Sequence, residues 1–124
     1  MDHTAGTICV IDDDVSVRKA LRRLLRSAGL AVETFGTAEE FLCRGDPGEP
    51  GCLVLDVYMP GMGGLELQLL LAAHGRLVPI IFVTGHEDEA ARRRALQAGA
   101  VAFFYKPFDR QALLDALARA LHRT

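Results

Sequence analysis

Several polar groups in this sequence directly follow short apolar runs, and their chemical types suit cation binding and group transfer. They are Asp12 and Asp13 after residues 7–11, Asp56 after residues 53–55, Thr84 at the end of residues 79–84, and Lys106 after residues 101–105. Carboxylates brought together raise one another's pKa and therefore need a cation nearby. Aspartate can also act as a nucleophile and form an acyl phosphate. If these groups converge, they predict a site that accepts a phosphoryl group.

The donor types in this set favour one class of metal ion. Three carboxylates together with a backbone carbonyl form a hard oxygen site with room for water, which suits Mg²⁺, with Mn²⁺ as the alternative. The set lacks the additional oxygens of a Ca²⁺ site and the His or Cys ligands of a Zn²⁺ site. Lys106 would supply a second positive charge beside a transferred phosphoryl group, and the Thr84 hydroxyl could donate a hydrogen bond to it.

The order of predicted elements brings these groups to one edge of a sheet. Five apolar runs alternate with helical segments, including one at 15–28 with Arg18 on its polar face, one opened by a Thr37/Glu40 capping box, and one at 87–98. A loop rich in Gly and Pro covers residues 45–51. Such alternation predicts a parallel sheet with helices on both faces. The predicted class is therefore α/β, a flavodoxin-like doubly wound sheet of order 2-1-3-4-5 flanked by five helices.

Composition excludes several functional classes. The 124 residues predict one domain, 1–124, and a net charge of −2 gives no electrostatic basis for direct contact with nucleic acid. No apolar run approaches the roughly 20 residues of a spanning helix, and the first residues do not resemble a signal peptide. We therefore expect a cytoplasmic protein without membrane contact. The three cysteines lack metal-binding spacing, and we expect Cys9 and Cys52, which lie inside or beside apolar runs, to behave as small hydrophobic residues.

Five segments of the chain resemble the receiver domain of two-component response regulators, most closely the FixJ type. They are Val10-Ile11-Asp12-Asp13-Asp14, Leu55-Asp56-Val57-Tyr58-Met59-Pro60-Gly61-Met62-Gly63-Gly64, Val83-Thr84-Gly85-His86, Ala98-Gly99-Ala100 and Lys106-Pro107-Phe108. The resemblance covers essentially the whole chain, with the segments in the family's order and spacing. It implies that Asp56 accepts a phosphoryl group from the phosphohistidine of a sensor histidine kinase.

The resemblance also implies how metal and phosphoryl group are held. Asp13 and Asp56 would bind Mg²⁺ directly, together with the backbone carbonyl of Tyr58, and Asp12 would act through a metal-bound water. Lys106 would hold a phosphoryl oxygen, and its bond to the following proline is expected to be a cis peptide.

A second set of residues is implied to respond to phosphorylation. Thr84 would report the arrival of the phosphoryl group, and Phe103 matches the family's switch aromatic, although a core position is the alternative. Tyr58 and His86 occupy positions that influence the phosphoryl lifetime by controlling water. Tyr105 stands where FixJ-type receivers often have an acidic residue, and it could strengthen a protein contact or pack in the core.

The resemblance further implies partners and output. The chain would phosphorylate itself from a donor and dephosphorylate itself, and would not be an enzyme acting on a separate substrate. FixJ-type receivers usually precede a helix-turn-helix DNA-binding domain, so we expect control of a transcription-regulating output domain outside this sequence. A stand-alone receiver acting by protein contact or phosphorelay is the alternative. Homodimerisation on phosphorylation is a further expectation.

Other α/β functions fit the residues less well. A phosphatase of the haloacid-dehalogenase type needs a second aspartate two residues after the first, and that position is Tyr58. No glycine-rich phosphate loop follows the first strand, which argues against a nucleotide or flavin site. A degenerate receiver that serves only for docking remains as an alternative, although all five expected site residues are present.

Overall fold

The computed structural model describes residues 6–44 and 49–122. Five strands and five helices alternate in them: β1 Ile8–Ile11, α1 Val15–Ser27, β2 Val32–Phe35, α2 Ala38–Leu42, β3 Cys52–Leu55, α3 Gly64–Ala73, β4 Ile80–Thr84, α4 Glu89–Gln97, β5 Ala102–Tyr105 and α5 Arg110–Leu121. All strand pairs are parallel, in the order β2-β1-β3-β4-β5. The predicted fold is therefore confirmed. Residues 45–48 of the predicted loop lie outside the described residues.

The sheet separates two apolar cores because side chains alternate between its faces along each strand. Ile8 and Val10 of β1 contribute to one core, whereas Cys9 and Ile11 contribute to the other. Every residue of β1, β3 and β4 is buried, which explains why these strands are continuous apolar runs. Burial raises the pKa of Cys9 to about 11, so its thiol stays protonated and packs as an apolar group, as expected.

Side-chain caps determine where several helices begin. The Asp14 carboxylate accepts hydrogen bonds from the Ser16 and Val17 amides at the start of α1. The Thr37 hydroxyl accepts a hydrogen bond from the Glu40 amide at the start of α2. The Glu40 carboxylate, however, accepts from the Gly36 amide and not from the Thr37 amide. The predicted capping box therefore forms on one side only, and its second hydrogen bond closes the preceding turn instead.

Helix α4 has little buried apolar surface. Its buried residues are Ala91 and Ala95, and the buried Gln68 of α3 donates a hydrogen bond to the Ala95 carbonyl at 3.0 Å. The helix is shorter than the predicted 87–98 because Asp88 caps it by accepting from the Ala91 amide. Small apolar contacts mean that displacement of α4 would expose little surface to water.

None of the described helices is both long enough and apolar enough to cross a bilayer.

Candidate functional site

Three carboxylates meet at the edge of the sheet where the strands end. One oxygen from each of Asp12, Asp13 and Asp56 lies within 4.8 Å of the others. Asp12 and Asp56 are buried, whereas Asp13 is exposed. The carboxylates follow the adjacent strands β1 and β3, whose parallel pairing places both ends at the same height. The predicted convergence is therefore confirmed.

Lys106 joins this cluster from the end of β5. Its Nζ donates to Asp12 Oδ2 at 2.9 Å and lies 3.5 Å from Asp56 Oδ2. Burial opposes the charged ammonium, but the hydrogen bond to Asp12 and the charges of Asp56 and Asp12 outweigh it and raise the pKa of Lys106. The lysine is thus a permanent cation at neutral pH. The Lys106–Pro107 peptide bond is cis, as expected.

The surroundings of Asp12 disfavour its charged form. Burial raises its pKa, and the charge of Asp56 adds to this effect. The Asp14 amide, which donates to Asp12 Oδ1 at 2.9 Å, and the Lys106 ammonium oppose the rise. One lysine charge offsets one of the clustered carboxylates, so a further cation would be stabilised here. The oxygen donors and the exposed Asp13 fit a hydrated, hard divalent ion such as Mg²⁺.

Thr84 is the last residue of β4, the strand that neighbours β3 and therefore the position of Asp56. The residue is completely buried, and its Oγ1 has no hydrogen-bond partner among the described residues. Its own carbonyl accepts from the Lys106 amide at 2.7 Å, which ties the end of β4 to the residue after β5. A buried hydroxyl without a partner costs about 1–3 kcal/mol. An oxygen arriving on Asp56 of the neighbouring strand would provide that partner.

Tyr58 and His86 lie on the loops that follow β3 and β4. Their rings make an edge-to-face contact with centroids 4.8 Å apart. The Tyr58 hydroxyl donates to Asp88 Oδ2. The phenol is the donor because an ionised carboxylate can only accept, and this hydrogen bond raises the pKa of Tyr58 and lowers the pKa of Asp88. The structure thus places both predicted lifetime residues side by side.

Phe103 occupies a half-buried position in β5. Its ring lies 5.7 Å from Phe82 and 5.4 Å from Tyr105, measured between centroids, and it packs against the core on that face of the sheet. Tyr105 is also half-buried, and its hydroxyl accepts from the Asp88 amide at 3.4 Å. The switch role of Phe103 stays a prediction. Tyr105 combines ring packing with a polar contact to the loop before α4.

The roles of two residues near the site were not predicted from the sequence. Arg18 was placed on the polar face of α1, but its Nη1 donates to the Asp12 carbonyl at 2.8 Å and so holds the loop after β1. Gly64 begins α3 against the main chain of Asp56, and a Cβ there would lie 2.1 Å from the Asp56 carbonyl oxygen. The Gly-Gly pair at the start of α3 was a visible signal, whereas nothing local distinguished Arg18 from its basic neighbours.

Gly64→Ala is expected to destabilise the protein by about 3 kcal/mol or more, at the upper end of overpacking costs, because the clash is with backbone and no rotamer relieves it. Urea unfolding measures this change. Gly85→Ala is the matched control, since its Cβ would meet nothing closer than 3.9 Å. Equal stability of the two variants would contradict the close approach of α3 to Asp56.

Comparison with known proteins agrees with this geometry. Residues 8–118 match the family described as "Response regulator receiver domain". Nodulation protein W of Bradyrhizobium diazoefficiens is 47% identical over 120 residues, covering 97% of this chain and 53% of that protein. The chain therefore spans about half the length of the curated relatives it matches.

Solved structures show the same relationship. The response regulator StyR superposes with a TM-score of 0.86 at 54% identity, covering 93% of this chain and 58% of that one. FixJ-N superposes with a TM-score of 0.88 at 37% identity, covering 100% of this chain and 98% of that one. Residues 8–118 match this family, and the sheet order and the acidic cluster agree with that match. The chain therefore belongs to the response regulator receiver domains of two-component systems.

Proposed function

We propose that Asp56 accepts a phosphoryl group from the phosphohistidine of a sensor histidine kinase, in a reaction that uses Mg²⁺. The observation that carries this proposal is the position of Asp56. It is buried, belongs to a three-carboxylate cluster and lies 3.5 Å from the Lys106 ammonium. A buried carboxylate in these surroundings is a nucleophile whose product would meet positive charge on arrival.

In the transfer step, an Asp56 oxygen forms a bond to phosphorus while the bond from phosphorus to the histidine nitrogen breaks, and the imidazole leaves with that electron pair. Lys106 binds an equatorial phosphoryl oxygen and offsets its charge. Thr84 Oγ1, buried without a partner among the described residues, donates its hydrogen bond to a second phosphoryl oxygen.

The residues that would hold Mg²⁺ are Asp13, Asp56 and, through its backbone carbonyl, Tyr58, with Asp12 acting through a water. The ion, replaceable by Mn²⁺, would neutralise the remaining phosphoryl charge.

The proposed output is a change in the face formed by α4, β5 and α5. Movement of Thr84 toward the phosphoryl group would pull the loop between β4 and α4 in the same direction. The Phe103 ring would then turn inward. The small buried surface of α4 supports such a displacement. This face would control a transcription-regulating, DNA-binding output domain, and homodimerisation would accompany phosphorylation. A stand-alone receiver working by protein contact or phosphorelay is the alternative.

The chain would work in the cytoplasm, where it would meet its kinase. It would have no separate substrate, since the phosphoryl group is gained on Asp56 and later lost from it. The names of full-length relatives, such as the transcriptional regulatory protein FixJ of Azorhizobium caulinodans, support a regulatory output.

Intact-mass analysis after incubation with acetyl phosphate or phosphoramidate tests this function. We expect the protein to gain the mass of one phosphoryl group when Mg²⁺ is present and to gain none when EDTA is added with the donor. The modification should map to the peptide containing Asp56. Phosphoramidate is useful because its phosphorus–nitrogen bond resembles that of phosphohistidine. No gain from either donor would contradict the proposal and favour a receiver used only for docking.

A further inference from the structure

Asp88, on the loop after β4, connects the loop after β3 with the end of β5. Its Oδ1 accepts from the Ala91 amide at 3.0 Å and so caps α4, while its Oδ2 accepts from the Tyr58 hydroxyl on the loop after β3. Its backbone amide donates to the Tyr105 hydroxyl at the end of β5 at 3.4 Å. The two carboxylate oxygens of Asp88 therefore have separate tasks, one within its own helix and one on another loop.

The hydrogen bond between Asp88 and Tyr58 involves a residue that also contacts the proposed phosphoacceptor, Asp56. The Tyr58 amide donates to Asp56 Oδ1 at 3.3 Å, and the Tyr58 ring lies against His86. Since β3 and β4 are adjacent, the two rings bridge the gap between the loops that leave Asp56 and Thr84. Tyr58 is 43% exposed, so its ring would otherwise turn between rotamers. The hydrogen bond to Asp88 holds it in one of them.

We propose that Asp88 is a positioning residue: its hydrogen bond holds Tyr58 against His86, and so strengthens the control of water that the family resemblance implies for these two ring positions. In hydrolysis a water oxygen bonds to phosphorus, the bond from phosphorus to the Asp56 oxygen breaks, and the water proton passes to solvent. The attacking water must enter in line with the breaking bond. Rings held across the loops after β3 and β4 restrict that entry. The inference rests on the proposed function, because the lifetime exists only if Asp56 is phosphorylated.

The same contact relates the lifetime to the position of α4. Asp88 belongs to the loop between Thr84 and α4, so any movement of that loop also moves the acceptor of the Tyr58 hydroxyl. A partner that displaced α4 would therefore change the rate at which the phosphoryl group is lost.

Two substitutions separate the positioning role from the helix cap. Asp88→Ser keeps a cap, because serine is a good N-cap residue, but its short side chain does not reach Tyr58. Tyr58→Phe keeps the ring and removes the hydroxyl. Each protein is phosphorylated with acetyl phosphate and Mg²⁺, freed of donor, and followed by intact mass. We expect each variant to lose the phosphoryl group about three- to tenfold faster than wild type, as loss of one hydrogen bond allows. The double variant should be no faster than either single one.

Glu89→Gln removes an exposed charge from the same helical turn and should leave the lifetime unchanged. Asp88→Asn, which can still pair with the phenol, should restore most of the lifetime. An unchanged lifetime in Asp88→Ser, or rates that add in the double variant, would overturn the inference while phosphorylation of wild type upholds the proposed function. Failure of wild type to be phosphorylated would overturn both.

Discussion

Replacing Asp56 with asparagine is expected to abolish Mg²⁺-dependent phosphorylation while leaving the protein folded. The amide is nearly isosteric with the carboxylate but is not a nucleophile, so no acyl phosphate can form. The substitution also removes a negative charge that raises the pKa of Asp12, while Lys106 keeps its 2.9 Å hydrogen bond to Asp12. We therefore expect the stability of the variant to match or exceed that of wild type. Intact mass after acetyl phosphate treatment and urea unfolding measure the two effects.

The matched control for this substitution is Asp115→Asn on α5. Asp115 is exposed and accepts a hydrogen bond from Gln111 at 2.9 Å, far from the acidic cluster in the chain. This variant should be phosphorylated like wild type. If Asp56→Asn gained a phosphoryl group at the wild-type rate, another carboxylate would be the acceptor, and the role assigned to Asp56 would be wrong.

Replacing Lys106 with methionine is expected to impair both phosphorylation and stability. Loss of the charge that faces the phosphoryl oxygens should slow phosphorylation by about 10²-fold, the usual effect of removing one electrostatic group. Asp12, which is 3% exposed, would lose the 2.9 Å hydrogen bond from Lys106. We expect a cost of about 2 kcal/mol, below the range for fully buried pairs because the Lys106 side chain is 22% exposed.

The stability cost of Lys106→Met should grow with pH. Burial raises the pKa of Asp12 in the folded protein, so its stabilising contribution is complete below the unfolded pKa of about 3.9 and is lost as pH rises through the folded value. Lys106 opposes that rise, and its own raised pKa keeps it charged until alkaline pH. Without Lys106 the pKa of Asp12 rises further, so the variant should lose more stability than wild type between acidic and neutral pH.

Urea unfolding of both proteins at pH 5 and pH 7.5 checks this pH dependence. Lys19→Met, which removes an exposed lysine from α1, serves as the control and should follow wild type at both values. A constant difference between Lys106→Met and wild type would show that Asp12 titrates independently of Lys106, contrary to the hydrogen bond between them.

Local patterns were sufficient to predict the architecture and most of the site. Alternating apolar runs and helical segments allow few arrangements other than a doubly wound parallel sheet, which was found with the expected order. Asp12, Asp56 and Lys106 each follow their strand directly, so the sheet that forms from the apolar runs also brings them together. Their convergence follows from topology and needs no knowledge of side-chain packing.

Helix boundaries were predicted less well, because they depend on single side chains. Asp88 caps α4 and shifts its start from the predicted residue 87 to Glu89. Glu40 accepts from Gly36 and not from Thr37, a difference of one residue that the capping pattern cannot resolve. In both cases alternative hydrogen bonds of similar energy compete, and the surrounding backbone selects between them.

Apolar patterns and short motifs were enough to predict the order of the elements, the family and the cluster of carboxylates with its lysine. Three features became visible only in the folded protein: Thr84 Oγ1 is buried without a partner among the described residues, Gly64 approaches the Asp56 carbonyl, and Tyr58 bonds to Asp88. The last contact joins residues thirty positions apart. Strand periodicity and helix caps act over a few neighbouring residues, whereas contacts between loops arise only after the sheet has aligned the strand ends.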